Sequence, residues 1–259
     1  MVTTGARTPS RTEVLLARPH AGAAVLRLDG EHNGNSISRE TADSLDQALD
    51  ELAADPALTC LVVAAAGTRF FCTGGDLDDY AALDTKESGA WMAARMSSLL
   101  DRLTALPALV VAAVEGIALG GGLELALACD LRITGTQARL SLPQVRLGVI
   151  PGWGGLSRLT SLVGRGRALA LVATARQLTA DEALDLGLVD EVVPAGQAER
   201  RALELAGQIG QGSVRAVRSL KSAADAPPTV VPLFGELWDA EDHRAAERAR
   251  EQRHASRGA

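Results

Sequence analysis

Two apolar runs constrain this chain more than any other feature: TCLVVAAAG over 59–67 and ALVVAAVEG over 108–116. Neither alternates in polarity, so each reads as a buried strand. Between them ESGAWMAARMSSLLDRLTAL carries apolar residues at helical spacing and stops before Pro107. Upstream, Ser38 stands at an N-cap position ahead of a segment in which Leu45, Ala48, Leu49 and Leu52 share one face. TEVLLARP and GAAVLRLDG read as a hairpin-like start. Strands alternating with helices indicate an α/β fold. From about Arg200 strand signals disappear, and helical stretches follow, divided by the break DAPPTVVP. The expected organisation is a disordered tail over 1–11, an α/β core over 12–197 and a helical region over 198–259.

Composition narrows the function. A net charge of −6 and a pI near 5.3 argue against non-specific nucleic-acid or anionic-membrane binding. The three cysteines show neither CxxC nor metal-type spacing, which fits a reducing cytoplasm and gives no expectation of a metal. No signal-peptide core and no bilayer-length apolar stretch is found, so a soluble, cytoplasmic protein without membrane contact is expected.

Two glycine-bearing loops carry the chemistry. FFCTGGDLDDY spans 70–80, and GIALGGGLELALACD spans 116–130 with a helix expected to start near Gly121. First-turn N–H groups and the helix dipole make a local positive site, and glycine lets a ligand approach the backbone. Tight helix–strand packing is the plainer explanation and stays open at this point. The N–H groups of Gly75 and Gly121 could converge on one carbonyl oxygen as an oxyanion hole, where each donor supplies on the order of 10²–10³ in rate. Glu124 falls about one turn beyond Gly121, placed to act as a general base or to orient water. The spacing is not GxGxxG, and no GxxxxGK[ST] occurs, so a nucleotide-phosphate loop is not expected.

FCTGGDL, EGIALGGGLELALACDLRI, LSLPQVRLGVIPGWGG and RQLTADEALDLGLVDEVVP resemble, in order and spacing, segments of the enoyl-CoA hydratase/isomerase (crotonase) superfamily. NGNSIS at 33–38 looks like a looser version of its NAL segment, and the resemblance covers roughly residues 12–220. It implies a ββα-spiral core with C-terminal helices that build a homotrimer or a dimer of trimers. It also implies an acyl-CoA substrate, with coenzyme A entering only as part of the thioester and no separate cofactor. Gly75 and Gly121 would hold the thioester oxygen. Arg69, Thr73, Asp76, Leu77 and Trp153 are the candidate substrate or CoA contacts, with helix capping the alternative for Asp76 and packing the alternative for Trp153. Two departures stand out: Asp78 lies where the family often has lysine, and AAERAREQR lacks the usual aromatic.

The departure that matters most is Gln144. The resemblance places a second glutamate twenty positions after Glu124, and glutamine, which cannot release a proton at neutral pH, stands there. The favoured reading is an enoyl-CoA hydratase-type lyase in which Glu124 acts alone and Gln144 orients water. Alternatives are a Δ3–Δ2 enoyl-CoA isomerase, a specialised acyl-CoA C–C lyase or decarboxylase, and a non-catalytic acyl-CoA-binding subunit. Cys72 is expected to be a small packing residue, Cys129 a core residue, Asp78 and Asp79 a solvated rim, and Lys221 a surface lysine.

Overall fold

The computed structural model describes residues 11–257, so the expected tail lies outside the described residues apart from Arg11. Strands β1 (Glu13–His20) and β2 (Ala23–Asp29) pair antiparallel as the expected hairpin. β3 (Cys60–Ala65) turns into the short β4 (Phe70–Cys72), β5 (Leu109–Val114) into β6 (Ile117–Leu119), and β7 (Leu131–Gly135) into β8 (Arg139–Ser141). β9 (Leu178–Thr179) and β10 (Glu191–Val193) complete two sheets. The large one runs β1-β2-β3-β5-β7-β10 and is parallel from β2 onward; the small one runs β4-β6-β8-β9. Each turn of the chain therefore steps from the large sheet to the small one and returns through helix, a ββα spiral. Gly116, at the β5–β6 corner, has φ +64°, and a Cβ there would collide with the backbone of Arg69. Successive corners are that tightly stacked.

Helix α1 (Arg39–Ala54) begins where Ser38 accepts a hydrogen bond from the Thr41 N–H, and buries Leu45, Leu49 and Leu52. Asp76 caps the short α2 (Leu77–Tyr80) by accepting from the N–H groups of Asp78 and Asp79. α3 (Lys86–Thr104) starts in a Thr85–Ser88 capping box, and α4 (Gly121–Leu127) is buried along its whole length. α5 (Gly155–Val163), α6 (Arg165–Thr174) and α7 (Ala180–Asp185) lead to β10. The chain then runs through α8 (Ala198–Ile209), α9 (Val214–Asp225), α10 (Val230–Trp238) and α11 (Glu241–Arg257).

Alternate residues of β3 and β5 enter opposite clusters, which is why both strands are apolar at every position. Leu61, Val63, Val110 and Ala112 join the main core; Cys60, Val62, Val111 and Ala113 pack beneath Ala198, Ala202 and Ala206 of α8. Helix α8, assigned from sequence to the C-terminal helical region, thus covers the second face of the large sheet. Lys221 corrects another expectation. It is no surface lysine: its Nζ lies 2.9 Å from Asp130 and donates to the Ala108 carbonyl at 3.0 Å, tying α9 to the start of β5.

Candidate active site

The two glycine loops meet. A Cβ at Gly74 would lie 2.8 Å from the Gly121 nitrogen, so the peptides flanking β4 and opening α4 touch. Gly75 forms a parallel bridge with Ile37, but the bridge uses its neighbours: Ile37 donates to the Gly74 carbonyl (2.8 Å) and Asp76 donates to the Ile37 carbonyl (3.0 Å). The Gly75 N–H is left pointing away. Gly121 is the first residue of α4, so its N–H has no intrahelical acceptor. Among the described residues, neither N–H is hydrogen-bonded. Gly122, by contrast, serves packing, since a Cβ there would strike the Cys72 carbonyl. The third glycine of the run therefore follows the plainer explanation.

Glu124 lies one turn along α4 and is 1 % exposed. Its Oε1 accepts from the backbone N–H groups of Trp153 (2.8 Å) and Gly155 (2.9 Å), the latter at the start of α5. Its Oε2 accepts from Gln144 Nε2 at 2.9 Å. Burial raises the carboxyl pKa, an effect opposed by those N–H groups, the Gln144 amide and the charge of Arg158. Oε1 is saturated, so Oε2 is the oxygen with a lone pair to spare. Gln144 Oε1 is buried with no hydrogen-bond partner among the described residues. Reversing the amide would set that oxygen against a carboxylate, so the hydrogen bond fixes which way it faces.

A cleft of about 1620 Å³ collects Thr73, Gly75, Asp76, Leu77, Gly121, Glu124, Gln144 and Trp153 on its walls. Trp153 is buried and packs on both glycines: a Cβ at Gly121 would collide with its ring, and one at Gly75 would come within 3.5 Å of it. Arg69 is not brought there. Its guanidinium stacks 4.8 Å from the Phe70 ring centroid outside the cleft, while its N–H holds Glu31. Cys72 is buried with its thiol pushed up to about 12, so it is a packing residue without a nucleophilic thiolate, and Cys129 is likewise core.

Asp79 departs from the solvated rim expected of it. It accepts from the Arg39 backbone N–H (2.8 Å), Nε (3.1 Å) and Nη2 (3.2 Å), and this guanidinium lowers its pKa. The pair clamps α2 to the start of α1. Asp78 stays exposed. Tyr80 was missed by sequence reasoning. It lines the cleft, its ring would lie 2.5 Å from a Cβ at Gly75, and burial pushes its phenol up to about 12. The one available signal was its place at the end of the glycine–aspartate stretch.

The fold and this site define an α/β spiral protein in which two backbone donors and one buried carboxylate face a common cleft, an arrangement suited to holding an oxyanion while a proton moves. The chain belongs to the enoyl-CoA hydratase/isomerase family, whose model matches residues 18–237. It is 34% identical over 232 residues to the short-chain-enoyl-CoA hydratase of Clostridium acetobutylicum, covering 86% of this chain and 88% of that one. The crotonyl-CoA hydratase of Syntrophomonas wolfei is 36% identical over 205 residues, covering 78% and 77%. Among solved structures, the enoyl-CoA hydratase from Bacillus anthracis superposes with a TM-score of 0.86 at 31% identity, over 93% of this chain and 96% of that one. The chain therefore has the crotonase fold.

Proposed function

We propose that this protein is an enoyl-CoA hydratase, adding water across the 2,3 double bond of a 2-enoyl-CoA. The observation that carries the reading is Glu124, a buried carboxylate with one oxygen saturated by backbone and the other held by Gln144, on the same cleft as two unbonded glycine N–H groups. The hydratase names of its relatives support it. The thioester carbonyl oxygen accepts from Gly75 and Gly121, which draws electron density from the double bond. Water attacks C3, and as its oxygen bonds to carbon one proton passes to Glu124 Oε2. The water's second hydrogen is held by Gln144 Oε1. The electron pair displaced onto the enolate then takes the proton from Glu124 at C2, so one water supplies both groups and Glu124 returns ionised. Its raised pKa suits a group that must first take and then give a proton near neutrality. Coenzyme A enters as part of the thioester, and no other cofactor has a role.

A Δ3–Δ2 isomerase is the second reading, favoured by the one observation that Gln144 leaves Glu124 without a second carboxylate beside it. Crotonyl-CoA and 3-hexenoyl-CoA separate the two by the conjugated enoyl absorbance. Loss of signal from the first is the expected result; signal gained only from the second would replace hydration with isomerisation. Of partners beyond the substrate, a second and third copy of this chain fit the apolar face of α10. The site of action we propose is the cytoplasm; no helix among the described residues is long and apolar enough to cross a membrane.

A further inference from the structure

Large apolar side chains are not normally left in water together, and an exposed cluster of them marks something that covers them. Leu77 is 69 % exposed, Leu147 66 %, Val149 56 % and Ile150 69 %, and all four line the cleft that holds Glu124. They converge from two elements distant in sequence, α2 and the segment between Gln144 and Trp153. The cleft lining is of two chemistries: Arg11, Asn33, Ser36, Arg39 and the α2 aspartates are polar or charged, while these four, with Met92 and Ala93 of α3, are apolar. At Gly152 the 147–152 segment packs against α3, since a Cβ there would reach 3.4 Å from the Ala93 Cβ.

We propose that this apolar lining takes a long hydrocarbon tail, so that 2-enoyl-CoA thioesters of medium to long chain are better substrates than four-carbon ones. The inference rests on the acyl-CoA reading of the same site. Continuity argues for the tail as occupant: the four side chains line the same cleft as the two glycines and Glu124, where the thioester end of such a molecule would sit. A four-carbon acyl group held at the glycines would leave the outer leucine, valine and isoleucine side chains wet. Each further methylene that they cover is worth about fourfold in affinity, the equivalent of about 0.8 kcal/mol.

The test is a chain-length series of trans-2-enoyl-CoA substrates from four to twelve carbons, run on the full chain with wild type and Ala93→Phe. Alongside it, binding of butyryl-CoA and decanoyl-CoA, which cannot be hydrated, is measured by calorimetry. The expected result is a kcat/KM at least tenfold higher at ten carbons than at four, tighter binding of decanoyl-CoA, and loss of that preference in Ala93→Phe. If four carbons turn over best and the two saturated thioesters bind alike, the inference falls while hydration stands. If nothing turns over yet decanoyl-CoA binds more tightly, hydration falls and only the binding of the tail by the apolar lining stands. Ile150→Asp covers a second copy as occupant: a change of sedimentation with an unmoved ten-to-four ratio overturns the proposal. Should Ala93→Phe fail to fold, the wild-type series and the binding pair decide alone.

Discussion

Glu124 combines a cost and a use in one side chain. Its carboxyl pKa is raised in the folded protein mainly by burial, so ionising it opposes folding. For an acid shifted this way, wild-type stability is lost as pH rises from the unfolded pKa through the higher folded one. Glu124→Gln removes that loss. Its oxygen can keep the N–H groups of Trp153 and Gly155, and Gln144 can turn its amide to accept from the new one. The variant's Tm should therefore match wild type in acid and exceed it increasingly toward neutrality, while hydration falls by about 10²–10⁴-fold. A variant that keeps its activity removes Glu124 as the proton carrier. In wild type, kcat/KM should fall in acid with a midpoint above the ordinary glutamate value. Gln144→Glu sets two carboxyls at the 2.9 Å contact now made by the amide, so one of them holds a proton at neutral pH. Crotonyl-CoA hydration should rise about tenfold through the added acid, and an unchanged rate would show that Gln144 limits nothing. Glu124 was legible from its place one turn beyond Gly121, and Gln144 only through the resemblance, which puts a glutamate twenty positions further on. That Gln144 bonds to Glu124, and that Trp153 supplies a backbone N–H to the same carboxylate, was not, since those contacts join three segments.

At the scale of elements, what could be read depended on length and period. α1, α3, β3 and β5 each carry enough turns or apolar positions to declare themselves. β6 and β8 have three residues each and β9 two, too few for any alternation to register, so the small sheet was invisible. α8 was visible as a helix but not as part of the core, because its buried face consists of alanines, which signal no particular neighbour. Ala198, Ala202 and Ala206 are each no more than 1 % exposed, seated where β3 and β5 present Val62 and Val111. Their small size sets how closely the helix approaches. Ala202→Leu should lift α8 off the sheet at a cost of about 1–3 kcal/mol in urea unfolding. If stability is unchanged, α8 is not seated by that contact. The ion pair of Lys221 with Asp130 and the clamp of Arg39 on Asp79 belong to the same class of feature. Each joins residues far apart in sequence, and no periodicity marks either partner.

For the molecule as a whole, the unfinished surface is α10. Val231 is 80 % exposed, Phe234 61 % and Trp238 57 %, on a helix with no buried residue. Phe234 and Trp238 stand a turn apart with ring centroids 5.6 Å from one another, so they form one face rather than scattered exposures. A monomer with this face in water has a strong drive to associate, and three copies about a common axis, or two such trimers, would cover it. The resemblance read from the motifs implies that assembly, and the exposed face of α10 is where such copies would meet. The net charge of −6 per chain opposes close approach, so the apolar contact must outweigh a repulsion that salt screens. Association should accordingly tighten as ionic strength rises. Sedimentation at micromolar concentration should give a trimer or hexamer, and Phe234→Asp, which adds a seventh net negative charge at the centre of the face, should shift the protein toward monomer. If wild type sediments as a monomer at high and low salt alike, the α10 face is not a contact between copies.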